Sequence, residues 1–221
     1  MPEALGFDIY GTLVDPLEMD EHLREVVGEG AERFSALWRE KQIEYTWRRG
    51  LMREYADFGV CTRQALDFAA LSFGLELSDN QREGLVEEYQ NLRPFPDVLP
   101  GLERLRSEGH TLVAFSNGLE RTARVLLERG GVLEHLEDVV SVDDLGTFKP
   151  DPEVYRYLAR RLDRPVGETW LVSSNGWDVI GAKSAGLRAA WVRRNPVTVF
   201  DPWGIEADLV VEDLEQLAGR I

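Results

Sequence analysis

The pattern of apolar and polar positions divides the chain into a helical block and a segment in which strands and helices alternate. Apolar residues at 4, 5 and 7 predict a short buried strand at the start of the chain. From residue 16 to about 93, apolar residues recur at three- to four-residue spacing, as over 65–73 and 85–92. This spacing predicts several consecutive helices and no strand, which is typical of a small helical bundle.

After Pro94, Pro96 and Pro100, short apolar runs alternate with amphipathic segments. The pattern predicts strands over 111–115, 139–141, 170–172, 189–192 and 208–211, and helices over 102–106, 120–127, 152–162, 179–185 and at the end of the chain. Such alternation predicts an α/β fold whose parallel sheet is covered on both faces. We therefore expect a core domain of residues 1–14 and 95–221, and a helical domain of residues 15–94 inserted after the first strand.

Composition and charge narrow the possible partners. The 221 residues carry a net charge of −15, so neither nucleic acid nor an anionic membrane is expected as a partner. No apolar run is long enough to span a membrane, and the first residues do not resemble a signal peptide, which predicts a cytoplasmic protein. Cys61 is the single cysteine, and the contexts of His22, His110 and His135 indicate no metal site.

Polar residues follow three of the predicted core strands. Asp8, Tyr10 and Thr12 follow the first strand, and Ser116 and Asn117 follow the strand over 111–115. The strand over 170–172 is followed by a third group, which consists of Ser173, Ser174, Asn175, Trp177 and Asp178; Lys149 precedes Pro150 between the last two groups. Each group on its own is also what helix N-termini and turns require. Together they predict one site at the carboxyl edge of the sheet, with a nucleophilic carboxylate, a hydroxyl donor, an ammonium group and a second carboxylate.

This set of motifs resembles the haloacid dehalogenase superfamily, and most closely its L-2-haloacid dehalogenases. The resemblance covers essentially the whole chain and implies a Rossmann-like core with an inserted helical-bundle cap. Phosphatases of the superfamily carry a second Asp two residues after the nucleophile, which supports a Mg²⁺ site, whereas this chain has Tyr10, as the dehalogenases do. The resemblance therefore implies a hydrolase acting on carbon–halide bonds that needs no metal or other cofactor.

The resemblance extends to the helical block. The segment over 37–45 is similar to the one that carries the substrate-site Arg, which makes Arg39 that residue. A guanidinium over the pocket can pair with a carboxylate or a departing halide. Tyr10, Ile43, Phe58 and Trp177 match the apolar positions that line the family's pocket. The dehalogenases commonly have Gln after the Arg, and this chain has Glu40, a departure that concerns the substrate rather than the fold.

The implied reaction converts an L-2-haloalkanoate and water into a D-2-hydroxy acid. Asp8 attacks C2 of the substrate, halide leaves, and water then hydrolyses the resulting ester. Lys149 is expected to hold Asp8 ionised, and Asp178 to orient or activate the water with the help of Asn175.

The remaining positions are carried over from the same resemblance. Thr12 and Ser173 are expected to form hydrogen bonds around the two aspartates, and Tyr155 matches a functional tyrosine. Ser116 is expected to bind the substrate carboxylate beside Asn117, and Asn117 with Arg39 to hold the halide. The family also implies a homodimer formed through the cap.

Three alternatives remain open at the level of sequence. The chain could be a Mg²⁺-dependent phosphatase that tolerates Tyr10, or a non-enzymatic or regulatory relative. It could also use the same attack at C2 on a strained ring or another leaving group, which the departure at Glu40 leaves possible.

Overall fold

The computed structural model describes residues 2–16 and 19–221, with the side chains of residues 20–22 excepted. The prediction about the side chain of His22 therefore lies outside the described part, as do Met1, Leu17 and Glu18. None of the described helices is both long enough and apolar enough to cross a membrane.

A six-stranded parallel sheet forms the centre of the molecule, in the order β3-β2-β1-β4-β5-β6. The strands are β1 (Ala4–Phe7), β2 (Thr111–Ser116), β3 (Asp138–Ser141), β4 (Thr169–Ser173), β5 (Arg188–Val192) and β6 (Leu209–Val211). The predicted α/β fold with a parallel sheet is confirmed. The first strand of the chain lies between β2 and β4, so its carboxyl end is flanked by polar residues that follow strands far away in sequence.

Residues 2–16 and 19–221 include nine α-helices. They are α1 (Met19–Val27), α2 (Ala31–Met52), α3 (Phe58–Ser72), α4 (Asp79–Glu88), α5 (Val98–Ser107), α6 (Glu120–Arg129), α7 (Pro152–Arg161), α8 (Gly176–Ala185) and α9 (Leu214–Ala218). The helices α1 to α4 follow one another with no strand among the described residues of this block, as the apolar spacing predicts. Local signals start several helices: Asp57 caps α3, Ser78 forms a capping box at α4, and Pro152 opens α7.

The two chain segments that enter and leave the helical block lie side by side. Val14 forms a β-bridge with Pro94, the Asp15 amide donates to the Arg93 carbonyl at 3.0 Å, and the Phe95 amide donates to the Leu13 carbonyl at 3.1 Å. The helical block is thereby tied to the sheet immediately after the loop that follows β1.

Gly6 allows β1 to pack against a helix on one face of the sheet. A Cβ at this position would lie 2.5 Å from Leu158 Cδ2 on α7, which is too close for any other residue without movement. The central strand is fully buried, as all four of its residues are inaccessible. The first loop after it is therefore held on a rigid base.

Candidate active site

Asp8 follows β1 and receives hydrogen bonds on both carboxylate oxygens. Lys149 Nζ lies 3.1 Å from Oδ1, while Thr12 Oγ1 and Asn175 Nδ2 lie 3.0 and 2.8 Å from Oδ2. Ser173 Oγ is also within reach of Oδ2, at 3.4 Å. The side chain is only slightly accessible, so these donors replace most of its hydration and fix its orientation.

Lys149 is buried between two carboxylates. Its Nζ lies 3.0 Å from Asp178 Oδ2 and from the Phe115 carbonyl, in addition to its contact with Asp8. It also lies 4.3 Å from the centre of the Phe115 ring. Burial alone lowers the pKa of Lys149, but attraction by Asp178 and Asp8 outweighs this effect and raises the pKa above its usual value. The ammonium group is therefore a permanent cation at neutral pH.

Asp178 is completely buried in the first turn of α8. Its Oδ1 accepts a hydrogen bond of 2.8 Å from the Tyr155 hydroxyl, and its Oδ2 faces Lys149. Burial raises the pKa of Asp178 above that of an ordinary aspartate; Lys149 and the Tyr155 hydrogen bond act in the opposite direction, and the charge of Asp8 adds to the increase. A raised pKa suits a carboxylate that accepts a proton during a reaction.

Arg39 reaches from α2 to the loop after β1. Its Nη2 donates to the Tyr10 carbonyl at 3.0 Å and lies 3.4 Å from Asn175 Oδ1. Gly11, with a φ of +85°, leaves room for this contact, because a Cβ there would lie 2.9 Å from the same Nη2. The helical block thus contributes a cation next to Asp8. Glu40 is exposed, so the neighbouring carboxylate is turned to solvent.

A second arginine, Arg194, also binds the loop after β1. Arg194 donates through Nε to the Thr12 carbonyl at 3.1 Å, and its Nη1 and Nη2 lie 2.8 and 3.2 Å from the two oxygens of Asp97. Its guanidinium stacks 3.8 Å from the centre of the Phe95 ring. Asp97 also accepts from the Leu214 amide at 2.8 Å. These contacts join the loop that carries Thr12 to the start of α5 and to α9.

A cavity of about 190 Å³ lies beside the Asp8 cluster. Tyr10 and Phe58 line it, with ring centres 6.0 Å apart, and Tyr89 stands against the other side of Tyr10 at the same distance. The loop before α6 closes the cavity with Gly118 and Leu119. Aromatic walls next to a carboxylate nucleophile form a site that can receive an apolar chain and exclude water.

Ser116 and Asn117 are both buried at the end of β2. Ser116 Oγ accepts from the Gly118 amide at 2.9 Å, and Asn117 Oδ1 accepts from the Lys149 amide at 3.0 Å. Ser116 therefore stabilises the loop after β2, and Asn117 ties this loop to the backbone of Lys149. Their expected contacts with substrate stay predictions.

The surroundings of Trp177 and Asn175 differ from what the sequence led us to expect. Trp177 lines a separate cavity, where its ring packs edge-on against Trp47 with centres 5.5 Å apart. Ile43 is half-buried one turn beyond Arg39 on α2, and its expected place in the pocket stays a prediction. Asn175 donates to Asp8, whereas we expected it to serve Asp178 or the water.

Three features of the site were not predicted. Ser174 donates to the Gly11 carbonyl at 2.7 Å, and its amide donates to Thr12 Oγ1 at 2.9 Å. Tyr89 completes the aromatic wall, and the Phe115 carbonyl is a ligand of Lys149. Ser174 belongs to the polar group after β4, but it was assigned no role from the sequence. A backbone carbonyl leaves no signature in a sequence.

Asp8 and Asp178 are the two carboxylates that contact Lys149 in this site. Among residues 2–16 and 19–221, with the side chains of 20–22 excepted, no three His, Cys, Asp or Glu side chains are grouped in a way that could hold a metal ion. The position two residues after Asp8 carries the Tyr10 ring, and burial raises the pKa of its phenol far above the usual value. The residues at this position therefore do not fit the Mg²⁺ site of the superfamily's phosphatases.

The fold and the site define a hydrolase with a Rossmann-like core, in which a buried carboxylate follows the central strand at its carboxyl end. A family model described as haloacid dehalogenase-like hydrolase matches residues 2–186, and the chain belongs to this family. The predicted family is confirmed.

Individual relatives match over most of their length. (S)-2-haloacid dehalogenase 1 of Pseudomonas sp. (strain CBS-3) is 40% identical over 192 residues, which cover 86% of this chain and 84% of that protein. Haloacetate dehalogenase H-2 of Moraxella sp. (strain B) is 35% identical over 220 residues, or 99% and 97% of the two chains. A structure of L-2-haloacid dehalogenase from Xanthobacter autotrophicus with chloropropionic acid covalently bound has a TM-score of 0.91 at 31% identity, and the match covers 99% of this chain and 98% of that one.

Proposed function

We propose that the protein hydrolyses L-2-haloalkanoic acids to D-2-hydroxy acids through a covalent ester on Asp8. The observation that carries this proposal is the setting of Asp8, which is buried, held by Lys149, Thr12 and Asn175, and followed at residue 10 by a tyrosine instead of a second carboxylate. The names of the relatives, which act on 2-haloacids and haloacetate, support the substrate class.

In the first step, an oxygen of Asp8 forms a bond to C2 while the carbon–halogen bond breaks and the electron pair leaves with the halide. Attack from the side opposite the halide inverts C2. Arg39, which lies next to the Asp8 loop, supplies positive charge for the departing halide. Tyr10 and Phe58 keep competing water away from C2.

In the second step, water attacks the carbonyl carbon of the Asp8 ester. Asp178 accepts a proton from the water, and its raised pKa favours this role. Lys149, Ser173 and Asn175 surround Asp8 and stabilise the negative charge that develops on its oxygens. The bond between the Asp8 carbonyl carbon and the alcohol oxygen then breaks, and the hydroxy acid leaves with a proton.

Halide release from the two enantiomers of 2-chloropropionate tests this proposal. We expect release from the L enantiomer only, in the presence of EDTA, and loss of release in Asp8→Asn. Asp79→Asn, at an exposed carboxylate on α4, is the matched control and keeps full activity. Release of halide from neither enantiomer, or hydrolysis of phosphate esters that depends on Mg²⁺, contradicts the proposal.

A single turnover in ¹⁸O-labelled water separates the ester route from direct attack by water on C2. The ester route places the label in the carboxylate of Asp8 and leaves the hydroxy acid unlabelled. Label in the product of the first turnover contradicts a covalent intermediate.

We further propose a division of the chain into a core of residues 1–14 and 95–221 and a cap of residues 15–94. The β-bridge between Val14 and Pro94, where the chain enters and leaves the helical block, supports this boundary. We also propose that the protein is a cytoplasmic homodimer that associates through the cap. Support for the dimer comes from exposed apolar side chains on two cap helices, namely Leu51, Met52, Phe68 and Leu71. Light scattering of the protein and of Leu71→Glu tests the dimer, which we expect the substitution to weaken.

A further inference from the structure

The cavity beside Asp8 has an aromatic end and a cationic end. Tyr10 and Phe58 form the aromatic end, next to the nucleophile. Arg63 of α3 and Arg121 of α6 line the same cavity, so the two guanidinium-bearing residues reach it from elements on different sides. Tyr10 and Gly118 of the same lining belong to the loops that carry Asp8 and Asn117, so the cavity adjoins the nucleophile's loop at one end and the two arginines at the other.

Neither arginine is held in an ion pair by the described residues. Arg63 and Arg121 are both exposed, and neither forms an ion pair or a hydrogen bond with any part of the chain that the structure describes. Glu120, the residue before Arg121, is instead paired with Arg124 at 2.7 Å. In a protein with a net charge of −15, two unpaired cations on one small cavity create a local site for an anion.

One carboxylate, that of Asp57, also lines the cavity. Its Oδ1 accepts a hydrogen bond of 3.0 Å from the Val60 amide, which caps α3, and its negative charge remains. Gln90 and Thr122 add uncharged polar groups to the same lining. The charged lining therefore consists of two guanidinium groups and one carboxylate, with uncharged polar groups beside them, and the two guanidinium groups are the donors that recognise a carboxylate.

We propose that Arg63 and Arg121 form a second anion subsite, which selects 2-halo dicarboxylic acids as substrates. This inference rests on the proposed hydrolysis of 2-haloacids, in which the carboxylate on C1 binds beside Ser116 and Asn117. The two arginines are then left for a second carboxylate at the far end of the substrate. A monocarboxylic acid places only a methyl group there and gains nothing from the subsite.

Length-matched pairs of substrates test the subsite. L-2-chlorosuccinate is compared with L-2-chlorobutanoate, and L-2-chloroglutarate with L-2-chloropentanoate, because each pair differs only in a terminal carboxylate against a methyl group. We expect kcat/KM to be higher for the dicarboxylic member of at least one pair. Arg63→Gln and Arg121→Gln are each expected to lower that preference about two- to fivefold, as exposed ion pairs do, and to leave the monocarboxylic acids within about twofold.

Arg33→Gln is the matched control, since Arg33 is exposed on α2 and does not line the cavity. It is expected to leave both series unchanged. Dicarboxylic acids that react no faster than their partners at either length overturn the subsite. An equal loss for both series in the arginine variants also overturns it, because general attraction of anions then explains the effect. If no member of either series releases halide, the proposed function itself fails and the subsite fails with it, whereas normal turnover of the monocarboxylic acids with no dicarboxylic preference refutes the subsite alone.

Discussion

The hydroxyl of Tyr155 lies 2.4 Å from the place where a Cβ at residue 181 would stand. Gly181 on α8 therefore leaves the space that lets Tyr155 on α7 reach Asp178 at 2.8 Å. Pro150 also packs against Gly181, and its Cβ lies 2.8 Å from where a Cβ at residue 181 would stand. The contact between a helix glycine and a tyrosine thus decides how the second carboxylate of the site is held.

Gly181→Ala is expected to displace Tyr155 and to lower both stability and turnover. Overpacking of this kind costs about 1–3 kcal/mol of the free energy of unfolding. Thermal unfolding and halide release measure the two effects. Gly84→Ala is the control, because a Cβ there meets nothing within 4 Å on α4, and it is expected to stabilise the protein by about 0.5–1 kcal/mol. Equal stability changes for the two variants would contradict the role of the space at Gly181.

Tyr155→Phe is expected to shift the acid limb of the pH profile to higher pH. The hydrogen bond from Tyr155 lowers the pKa of Asp178, while burial raises it, so removal of the hydroxyl leaves a carboxylate that protonates at higher pH. Activity is present above this pKa and is lost as the pH falls through it. The pH dependence of kcat measures the shift.

Tyr157→Phe serves as the matched control for that shift. Tyr157 lies on the same helix and donates to Asp144, away from Asp178. Its profile should follow that of the unchanged protein. An acid limb that moves to lower pH in Tyr155→Phe would show that another group controls it.

Arg39 and Glu40 are adjacent in sequence but are expected to differ strongly in effect. Arg39→Gln removes the donor to the Tyr10 carbonyl and the positive charge near Asp8, and should lower kcat/KM for L-2-chloropropionate by about 10²-fold or more. Glu40→Gln should change it by less than about twofold, since the exposed carboxylate is screened by water and salt. Steady-state kinetics at 0.15 M salt make the comparison. A large gain in Glu40→Gln would mean that this carboxylate does weaken anion binding.

Asp97→Asn is expected to destabilise the protein and to slow turnover through the loop that carries Thr12. Asp97 and Arg194 form a largely buried ion pair, and the substitution removes its negative charge while Arg194 stays charged. A loss of about 3 kcal/mol in the free energy of unfolding is usual for such a change. Denaturant unfolding and kcat are the readouts. Asp67→Asn, which breaks the more exposed pair with Arg82, should cost less than about 1 kcal/mol and leave kcat unchanged. A normal kcat in Asp97→Asn would mean that Thr12 keeps its position without this pair.

The order of strands and helices could be read from the sequence because each element is long enough to show its period. The runs over 111–115 and 170–172 are apolar and bounded by polar residues, and they became β2 and β4. Parallel strands bring their carboxyl ends to one edge, which explains why Asp8, Lys149 and Asp178 could be grouped without coordinates. Arg39 was predicted from the resemblance alone, because its contact with the Tyr10 carbonyl depends on how α2 lies relative to the loop after β1.

Other parts of the site depend on geometry that the sequence does not encode locally. Trp177 and Asp178 are neighbours on α8, yet one packs against Trp47 and the other faces Lys149, because successive residues of a helix point about 100° apart. Asn175 could serve either aspartate, and the turn before α8 directs it to Asp8. The orientation of Glu40 follows from the same rotation around α2.

The position of β1 between β2 and β4 also has a consequence for synthesis on the ribosome. The strand that precedes Asp8 is translated first, but its two neighbours come more than 100 and more than 160 residues later. A nascent chain therefore carries its nucleophile unenclosed until β4 has emerged; Lys149 is translated shortly before this strand and Asp178 shortly after it. Pairings of such sequence separation close slowly, so an incomplete polypeptide has neither a finished sheet nor a working site. The site is therefore complete only after about four-fifths of the residues have left the ribosomal exit tunnel, and we expect chains that are truncated before this point to be inactive.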